Sequence, residues 1–258
     1  MARTDTLPHF LTDVADAIRT KTGESGTIQA STFDTAISNI PSGGSSDEYF
    51  YSTISAGTGS SGSSMNGYMS AIKKIPALTN SGTNCAYMFY EFAGTDIDLS
   101  NFDTSNVTDM KYMFYDCTNL TSLDLSSFDT SKVVYFGDMF FRCSSLTTLN
   151  LSNFSGASAT SMFEMFAVCS NLTSLDLSGF DTSKVTNMNS MFDGCTSLNF
   201  LDIRNFDFSR VGSKYNGMFN NVPTNCEIIV KNDTVKNWLL SKFSNLTNVK
   251  TVAEYEAE

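Results

Sequence analysis

The sequence predicts an α/β repeat solenoid with a parallel strand face, preceded by a small helical module at its N-terminus. The dipeptide Met-Phe recurs in one register six times, from Met88 to Met218, at spacings of 25, 26, 26, 26 and 27 residues. Leucines and a closing phenylalanine recur in the same register. Self-similarity at a period of roughly 20–50 residues is the signature of stacked repeats, so we expect units that share one continuous core.

Two local patterns within each unit predict its secondary structure. Val107, Met110 and Met113 lie at the three-to-four-residue spacing that predicts a short helix or helical turn. Leu123 and Leu125 flank a polar residue with period two, which predicts a short strand. A Phe-Asp-Thr-Ser stretch then supplies turn and N-cap residues. We therefore expect strand, turn, helix, turn in each unit, with the strands of successive units in a parallel ladder and helices on the opposite face.

The units that run from Leu120 to Phe140 and from Leu172 to Phe192 resemble the BspA-type leucine-rich repeat. Its pattern is Leu-x-x-Leu-Asp-Leu-Ser-x-Phe-Asp-Thr-Ser-x-Val-Thr-x-Met-x-x-Met-Phe-x-x-Cys. The resemblance covers residues 72 to 230 and implies a leucine-rich-repeat solenoid. That family mixes bacterial surface proteins with phage proteins, so the resemblance implies binding without naming a partner. Phe92 and Val222 replace cysteine in the end units, as capping requires.

The composition changes along the chain predict four parts. We expect a helical attachment module at 1–41, a flexible linker at 42–48, the solenoid with its N-terminal cap at 49–223 and a C-terminal cap at 224–258. An apolar stripe in the first part predicts a helix from about Pro8 to Lys21. In the last part, residues 226–230 predict a strand, and Asp233 is expected to cap a helix that ends near Phe243.

The first part also resembles the leader of many phage and prophage structural proteins of Gram-positive hosts. The similarity lies in residues 10–19, Phe-Leu-Thr-Asp-Val-Ala-Asp-Ala-Ile-Arg, and in residues 33–37, Phe-Asp-Thr-Ala-Ile. It implies attachment of the protein to a particle. The residues expected to make that attachment are Phe10, Leu11, Val14 and Ile18.

Charge and hydropathy indicate which partners and compartments to expect. The formal net charge is −11 and the sequence pI is about 4.5, which disfavours nucleic acid because its phosphates repel an acidic chain. Membrane insertion is not expected, because the sequence contains no apolar run of about 18 residues. The N-terminus has no apolar signal-peptide core and the C-terminus carries no anchor, so we expect synthesis in a bacterial cytoplasm without export.

The sequence offers no constellation typical of an enzyme, a cofactor or a metal. His9 is the one histidine of the chain, so no Ser-His or Cys-His pair is indicated within the repeats. In-register cysteines recur every 26 residues, whereas zinc ligands usually come in pairs two to four apart. This spacing favours a column of small, buried, reduced side chains. A disulfide ladder stays open as an alternative if neighbouring Cα atoms approach within about 7 Å.

The outward positions of the predicted strands form columns that repeat once per unit. The central column contains Asp98, Asp124, Asn150, Asp176 and Asp202. Stacked carboxylates about 5 Å apart repel by roughly 1 kcal/mol in water, so this face is either fully solvated or occupied by a ligand. Phe200 and Arg204 interrupt the pattern, and an exposed aromatic beside an arginine predicts a binding hot spot. These seven residues are the candidate ligand-binding site.

Together these patterns predict a non-enzymatic structural and binding protein of a bacteriophage particle, of the tail, baseplate or fibre type. Its N-terminal module would bind other virion proteins, its solenoid a host surface protein or glycan, and several copies would assemble on the particle. A BspA-like adhesin of the bacterial cell surface is the alternative. A glycan-cleaving enzyme that uses paired carboxylates is disfavoured, because the aspartates recur in every unit and do not converge on one pocket.

Overall fold

The structure, a computed structural model, describes residues 83–92, 94–100 and 102–258. Several predictions fall outside these ranges. They are the leader helix with its attachment residues Phe10, Leu11, Val14 and Ile18, the linker at 42–48, and the start of the N-terminal cap. His9 also lies outside them.

The described chain forms a solenoid of parallel strands, as the repeat predicts. The strands are β1 (Ser122–Asp124), β2 (Thr148–Asn150), β3 (Ser174–Asp176), β4 (Phe200–Asp202), β5 (Glu227–Val230) and β6 (Val249–Thr251). β1 pairs with β2, and β3 to β6 form a second sheet in sequence order. Every pair is parallel, and equivalent repeat positions face each other, such as Leu123 opposite Leu149. One repeat unit therefore supplies one rung.

The strands follow the period-two pattern that predicted them. Leu123, Leu175 and Leu201 point inward and are at most 3% exposed. Their neighbours in β1 and β3 are exposed, so these strands have one buried face and one solvent-exposed face. Burial of alternate leucines fixes the register, because a slip by one residue would move every leucine to the solvent side.

The predicted helix of each unit was wrong: the Met-Phe segments are runs of turns. In the second unit, residues 109–117 donate alternate N–H groups to the next unit, from Met110 to Tyr135 O at 3.0 Å and from Phe114 to Met139 O at 2.9 Å. The N–H of Met113 closes a turn on Met110 O at 3.3 Å. Turns of this length place apolar residues inward every three to four positions, the same spacing that a helix produces. We call each such stretch a turn segment.

Left-handed backbone accompanies this second ladder. Among the residues that the structure describes, ten other than glycine have positive φ, and all lie at two fixed positions of the turn segments, such as Tyr112 at 58° and Asp116 at 57°. At both positions the N–H donates to the next unit, at 3.1 and 2.7 Å. Left-handed backbone costs roughly 1–2 kcal/mol per residue, and the hydrogen bonds between units offset that cost.

The core beneath the turn segments is a column of stacked phenylalanine rings. Successive rings from Phe89 to Phe219 have centroids 5.2, 5.6, 5.5, 5.7 and 5.5 Å apart. All are at most 2% exposed. Phe243 ends the column by packing edge-on against Phe219 at 76° and 4.9 Å. Offset stacking of this kind adds to the hydrophobic gain from burial.

The six cysteines are buried and none of them forms a disulfide bond, which agrees with the predicted column of small thiols. Four of them donate from Sγ to a carbonyl of the preceding unit, as Cys143 does to Phe114 O at 3.0 Å. Burial raises the pKa of Cys169 to about 12. Thiols in this setting are protonated hydrogen-bond donors, so the column contributes to the packing of the units.

A buried threonine also joins neighbouring units. Thr104, Thr130 and Thr182 donate from Oγ1 to a carbonyl of the next unit, at 3.0, 3.1 and 3.2 Å. In one unit Gly156 takes this position, where a Cβ would clash with the carbonyl oxygen of Asp181. The last repeat carries Phe208 instead, whose ring stacks on the C-terminal cap.

The C-terminal cap contains α1 (Asp233–Lys242), β6 and α2 (Val252–Tyr255). Asn232, and not the predicted Asp233, is the N-cap of α1, because its side chain accepts from Val235 N at 3.2 Å. Leu239 is fully buried, and Trp238 packs against the core. The predicted strand before the helix is confirmed as β5.

Candidate functional site

The predicted aspartate column exists and lies on the strand face, which we define as the outward side chains of the strands and of the turn that follows each one. Each column residue accepts a hydrogen bond at Oδ1 from the N–H two residues later. The distances are 3.0 Å for Asp98, 3.0 Å for Asp124, 3.1 Å for Asn150 and 2.8 Å for Asp176. The bond from Ser126 holds the pKa of Asp124 below its ordinary value. These side chains therefore close the turn after each strand, which is a structural task.

The expected hot spot at the end of this column is not an exposed one. Asp202 is only 3% exposed, and Arg204 pairs with it at 2.7 Å between Nη2 and Oδ2. Arg204 also reaches Glu256 of the C-terminal cap at 3.5 Å, and the ring of Phe200 lies 5.9 Å from that of Tyr255. The prediction of exposure was wrong because the cap folds over this end of the strand face. A ligand role for these residues stays a prediction.

A second surface, formed by the turn segments, gathers aromatic rings. We call it the turn face: the outward side chains of the turn segments. Tyr87 stacks on Tyr112 at 4.6 Å, and a second stack runs from Tyr90 through Tyr115 to Phe141 at 4.9 and 4.8 Å. All five rings are partly exposed. They form two parallel rows along the solenoid axis.

Charged groups flank the two aromatic rows. Between residues 84 and 168 the turn face has two cations, Lys111 and Arg142, which contact carboxylates of the same surface at 3.3 and 3.5 Å. Its exposed or half-buried carboxylates are Glu91, Asp109, Asp116 and Glu164, and Asp138 is buried beneath them. Four carboxylates against two cations give the outward side chains of this surface a net charge of −2. Charge and aromatic area thus coincide in the first units.

Asp138 links the charges to the rings. It is 6% exposed, and burial together with the neighbouring Glu164 raises its pKa to about 6. The Tyr112 side chain hydrogen-bonds to this carboxylate and opposes part of that rise. Burial and the charge of Asp138 in turn raise the pKa of Tyr112 to about 12. The Tyr112 hydroxyl is therefore a fixed donor at neutral pH.

The turn face changes character along the solenoid. The column that begins with Tyr87 and Tyr112 continues as Asp138, Glu164, Ser190 and Gly217. The column of Tyr90 continues as Tyr115, Phe141, Ala167, Asp193 and Asn220. In these two columns, rings thus occur only in the first three units, although the backbone ladder continues into the later ones. The fold does not require rings at these positions.

Sequence reasoning missed this surface for a specific reason. A helical interpretation of the Met-Phe segments spreads their polar residues around a cylinder, so equivalent positions of neighbouring units were not aligned as a face. The signal was nevertheless present. Tyrosines precede and follow Met-Phe at matching positions, at Tyr87 and Tyr90 and again at Tyr112 and Tyr115.

Among the helices of the described chain, none has the length and apolar character needed to span a bilayer. Over the same residues, no group of three or more His, Cys, Asp or Glu side chains is arranged to hold a metal ion.

Comparison with known proteins identifies a family that this chain matches. A family model described as "Mycoplasma protein of unknown function, DUF285" matches residues 77–175 and again residues 148–255. The curated proteins give no match, and neither do the solved structures. The two matched ranges overlap and together cover more than half of the chain, and they agree with the resemblance to BspA-type repeats. The chain therefore belongs to the DUF285 family of repeat proteins.

Proposed function

We propose that this chain is a non-enzymatic recognition protein that binds a partner protein through the aromatic part of its turn face. The observation that carries the proposal is the pair of ring rows formed by Tyr87 and Tyr112 and by Tyr90, Tyr115 and Phe141. A repeat solenoid of this family agrees with a role in recognition or adhesion. Extended solenoid surfaces are suited to such roles because they present many side chains on one rigid support.

The energetics of binding favour this part of the molecule. Tyrosine is enriched at binding hot spots because its ring gives a large contact area and its hydroxyl gives a polar end. Stacking between units already holds the rings in place, so little rotamer entropy is lost when a partner binds. On the strand face, by contrast, the Oδ1 atoms of the aspartates and of Asn150 already accept hydrogen bonds from the turn that follows each strand.

The setting we propose is a bacteriophage particle, with the leader attached to other virion proteins and the solenoid directed at a host surface protein. Support for this setting comes from the resemblance of residues 10–19 and 33–37 to phage leaders. Several copies on one particle would strengthen weak individual contacts through avidity. The alternative is a bacterial cell-surface adhesin, and the match to a family described from Mycoplasma is compatible with it.

Electron microscopy with gold-labelled antibodies against the solenoid distinguishes the two settings. We expect label at one defined place on particles released from the producing culture. Particles from a strain in which the gene is deleted serve as the control and should stay unlabelled. Label on cell envelopes with bare particles would contradict the phage setting and support the adhesin.

The non-enzymatic part of the proposal has its own test. Purified full-length chain is incubated with host cell-wall glycans, and new reducing ends are measured over time. We expect new reducing ends to appear no faster than in a control that contains buffer and no protein. Release of reducing ends that disappears in the Asp124→Asn, Asp176→Asn double variant would instead support the glycan-cleaving alternative.

A further inference from the structure

An open cleft of about 770 Å³ lies where the last repeat units meet the C-terminal cap. Phe208 and Trp238 supply its aromatic lining, Asp181 and Asp207 come from two successive units, and Lys231 and Asn232 come from the cap. The cleft is separate from the turn face and borders the strand face at Gly179 and Asn205, in the turns after β3 and β4. Its volume is in the range of small-ligand sites, and its lining combines aromatic area with a few convergent polar groups.

The aromatic lining is rigid. Phe208 and Trp238 are stacked with centroids 4.6 Å apart and planes at 20°. Tyr215 and Phe243 pack edge-on against Trp238 at 5.2 and 6.2 Å. Phe208 occupies the position that Thr104, Thr130 and Thr182 hold in other units, so this part of the aromatic lining is particular to the last repeat. Rings fixed in this way offer a preorganised apolar wall.

The two carboxylates are also held in fixed orientations. Asp181 accepts at Oδ1 from Ser183 N at 2.9 Å, and Asp207 accepts from Ser209 N at 2.8 Å. The bond from Ser183 lowers the pKa of Asp181, so it stays an ionised acceptor at neutral pH. Each carboxylate has further lone pairs that can accept from a ligand. Lys231 and Asn232 add donors from the other side of the junction.

We propose that this cleft binds a neutral saccharide. A sugar ring presents C–H groups on its faces, which pack on aromatic rings, and hydroxyls on its rim, which pair with carboxylates, amides and an ammonium group. Two carboxylates against one lysine disfavour anionic ligands such as phosphates or uronic acids. The cleft thus adds a glycan site to the chain, and it stands independently of the protein-binding role of the turn face.

The chain contains a built-in reporter, because Trp238 is its one tryptophan. Full-length protein is titrated with cello-, malto- and chito-oligosaccharides at millimolar concentrations while tryptophan fluorescence is recorded. Calorimetry on the same samples detects binding that leaves the fluorescence unchanged. We expect a saturable signal with at least one series, and none with polygalacturonate fragments, whose carboxylates oppose those of the cleft.

Variants of the two cleft carboxylates test whether the binding signal arises in the cleft. Asp181→Asn and Asp207→Asn should each weaken the affinity about tenfold, because a charged acceptor becomes a neutral one. Asp129→Asn is the matched control, since Asp129 makes the same turn with Ser131 N at 2.9 Å outside the cleft. It should bind as the wild type does. Thermal unfolding of each variant verifies its fold. Absence of binding by every neutral series, or equal weakening by Asp129→Asn, would overturn the proposal.

Discussion

The strand face and the turn face are made by the same repeat units, yet they differ in how their outward side chains are used. On the strand face, Asp124, Asn150 and Asp176 repeat almost unchanged, and each closes the turn that follows its strand. On the turn face, the column of Tyr112 changes to Ser190 within three units while the backbone stays the same. The side chains that repeat on the strand face are therefore explained by local folding. The side chains of the turn face vary because the fold does not require a particular residue there.

This difference shows where to look for recognition in a repeat protein. A column that recurs in every unit is explained by the geometry of the unit. A group of rings confined to the first units, as Tyr87, Tyr115 and Phe141 are, has no such explanation and adds exposed apolar area to an acidic surface. Four predictions test how far this separation between folding and binding positions holds.

The largest effect is expected in the buried ring column. Phe166→Ala removes a fully buried ring that stacks on both neighbours at 5.5 and 5.7 Å. It should lower the free energy of unfolding by about 3–5 kcal/mol. Phe141→Ala is the matched change on the turn face, where the next unit already has Ala167, and it should cost roughly 1 kcal/mol. Urea denaturation measures both, and equal losses would break the distinction between the two ring systems.

The second effect depends on pH. The folded pKa of Asp138, about 6, lies above its ordinary value, so the fold favours the protonated carboxyl. The corresponding stability is fully present below about pH 4 and is lost as pH rises through 6. Asp138→Asn should therefore raise the unfolding free energy by about 1–3 kcal/mol at pH 7 and leave it unchanged near pH 4. Asparagine also tolerates the left-handed backbone at this position.

Asp103→Asn is the control for the pH experiment. A hydrogen bond from Ser105 lowers the pKa of Asp103, so this carboxylate is favoured in the folded state. The substitution should give no gain in stability at pH 7. A gain of the same size as that of Asp138→Asn would mean that net charge, and not the burial of Asp138, causes the effect.

A smaller effect is expected on the strand face. Asp124→Ala removes the acceptor for Ser126 N and should lower the unfolding free energy by about 1 kcal/mol. Asp124→Asn should retain stability, because Asn150 makes the same bond in the neighbouring unit at 3.1 Å. Thermal unfolding compares the two variants. Equal stability of the alanine and asparagine variants would show that the turn bond contributes nothing.

The smallest effect concerns backbone strain. Val168 is β-branched and has φ of 60°, and it is 37% exposed. Val168→Asn should stabilise the protein by about 0.5–1 kcal/mol, because Asn221 already occupies the equivalent position. Gly194→Val should act in the opposite direction, since its Cβ would lie 3.3 Å from Val168 Cα. Thermal unfolding measures the change in stability of both variants. A change in the same direction for both would contradict the role given to backbone strain.

The sequence predicted the solenoid and its register because burial of Leu123 and Leu125 leaves one way to pair neighbouring units. It could not distinguish helix from stacked turns, because Met110, Met113 and Cys117 point inward in either conformation. The two conformations differ in which carbonyl accepts from the N–H of a residue such as Tyr112. That acceptor, Gly137 O, belongs to another unit, so the spacing of apolar residues within one unit does not indicate it.

The candidate site was predicted only in part. The aspartate column was found, since it follows from the repeat, but its role in closing turns depends on atomic geometry. The burial of Asp202 and the partial covering of Phe200 depend on the C-terminal cap, whose Tyr255 and Glu256 lie outside the repeat pattern. No periodicity within the units could indicate that contact.

The most direct test of the account compares the two faces in one binding experiment. Fluorescently labelled wild-type chain is bound to cells of the producing culture beside two variants. The turn-face variant combines Tyr87→Ser, Tyr112→Ser and Tyr115→Asn, residues that later units carry in the same columns. The strand-face variant combines Asp124→Asn and Asp176→Asn, as Asn150 does naturally.

We predict that the turn-face variant loses affinity at least about tenfold, as expected when hot-spot rings are removed. The strand-face variant should bind as the wild type does. Both variants are first shown to unfold at the wild-type temperature within a few degrees. Loss of binding by the strand-face variant, with the turn-face variant unaffected, would contradict the central claim.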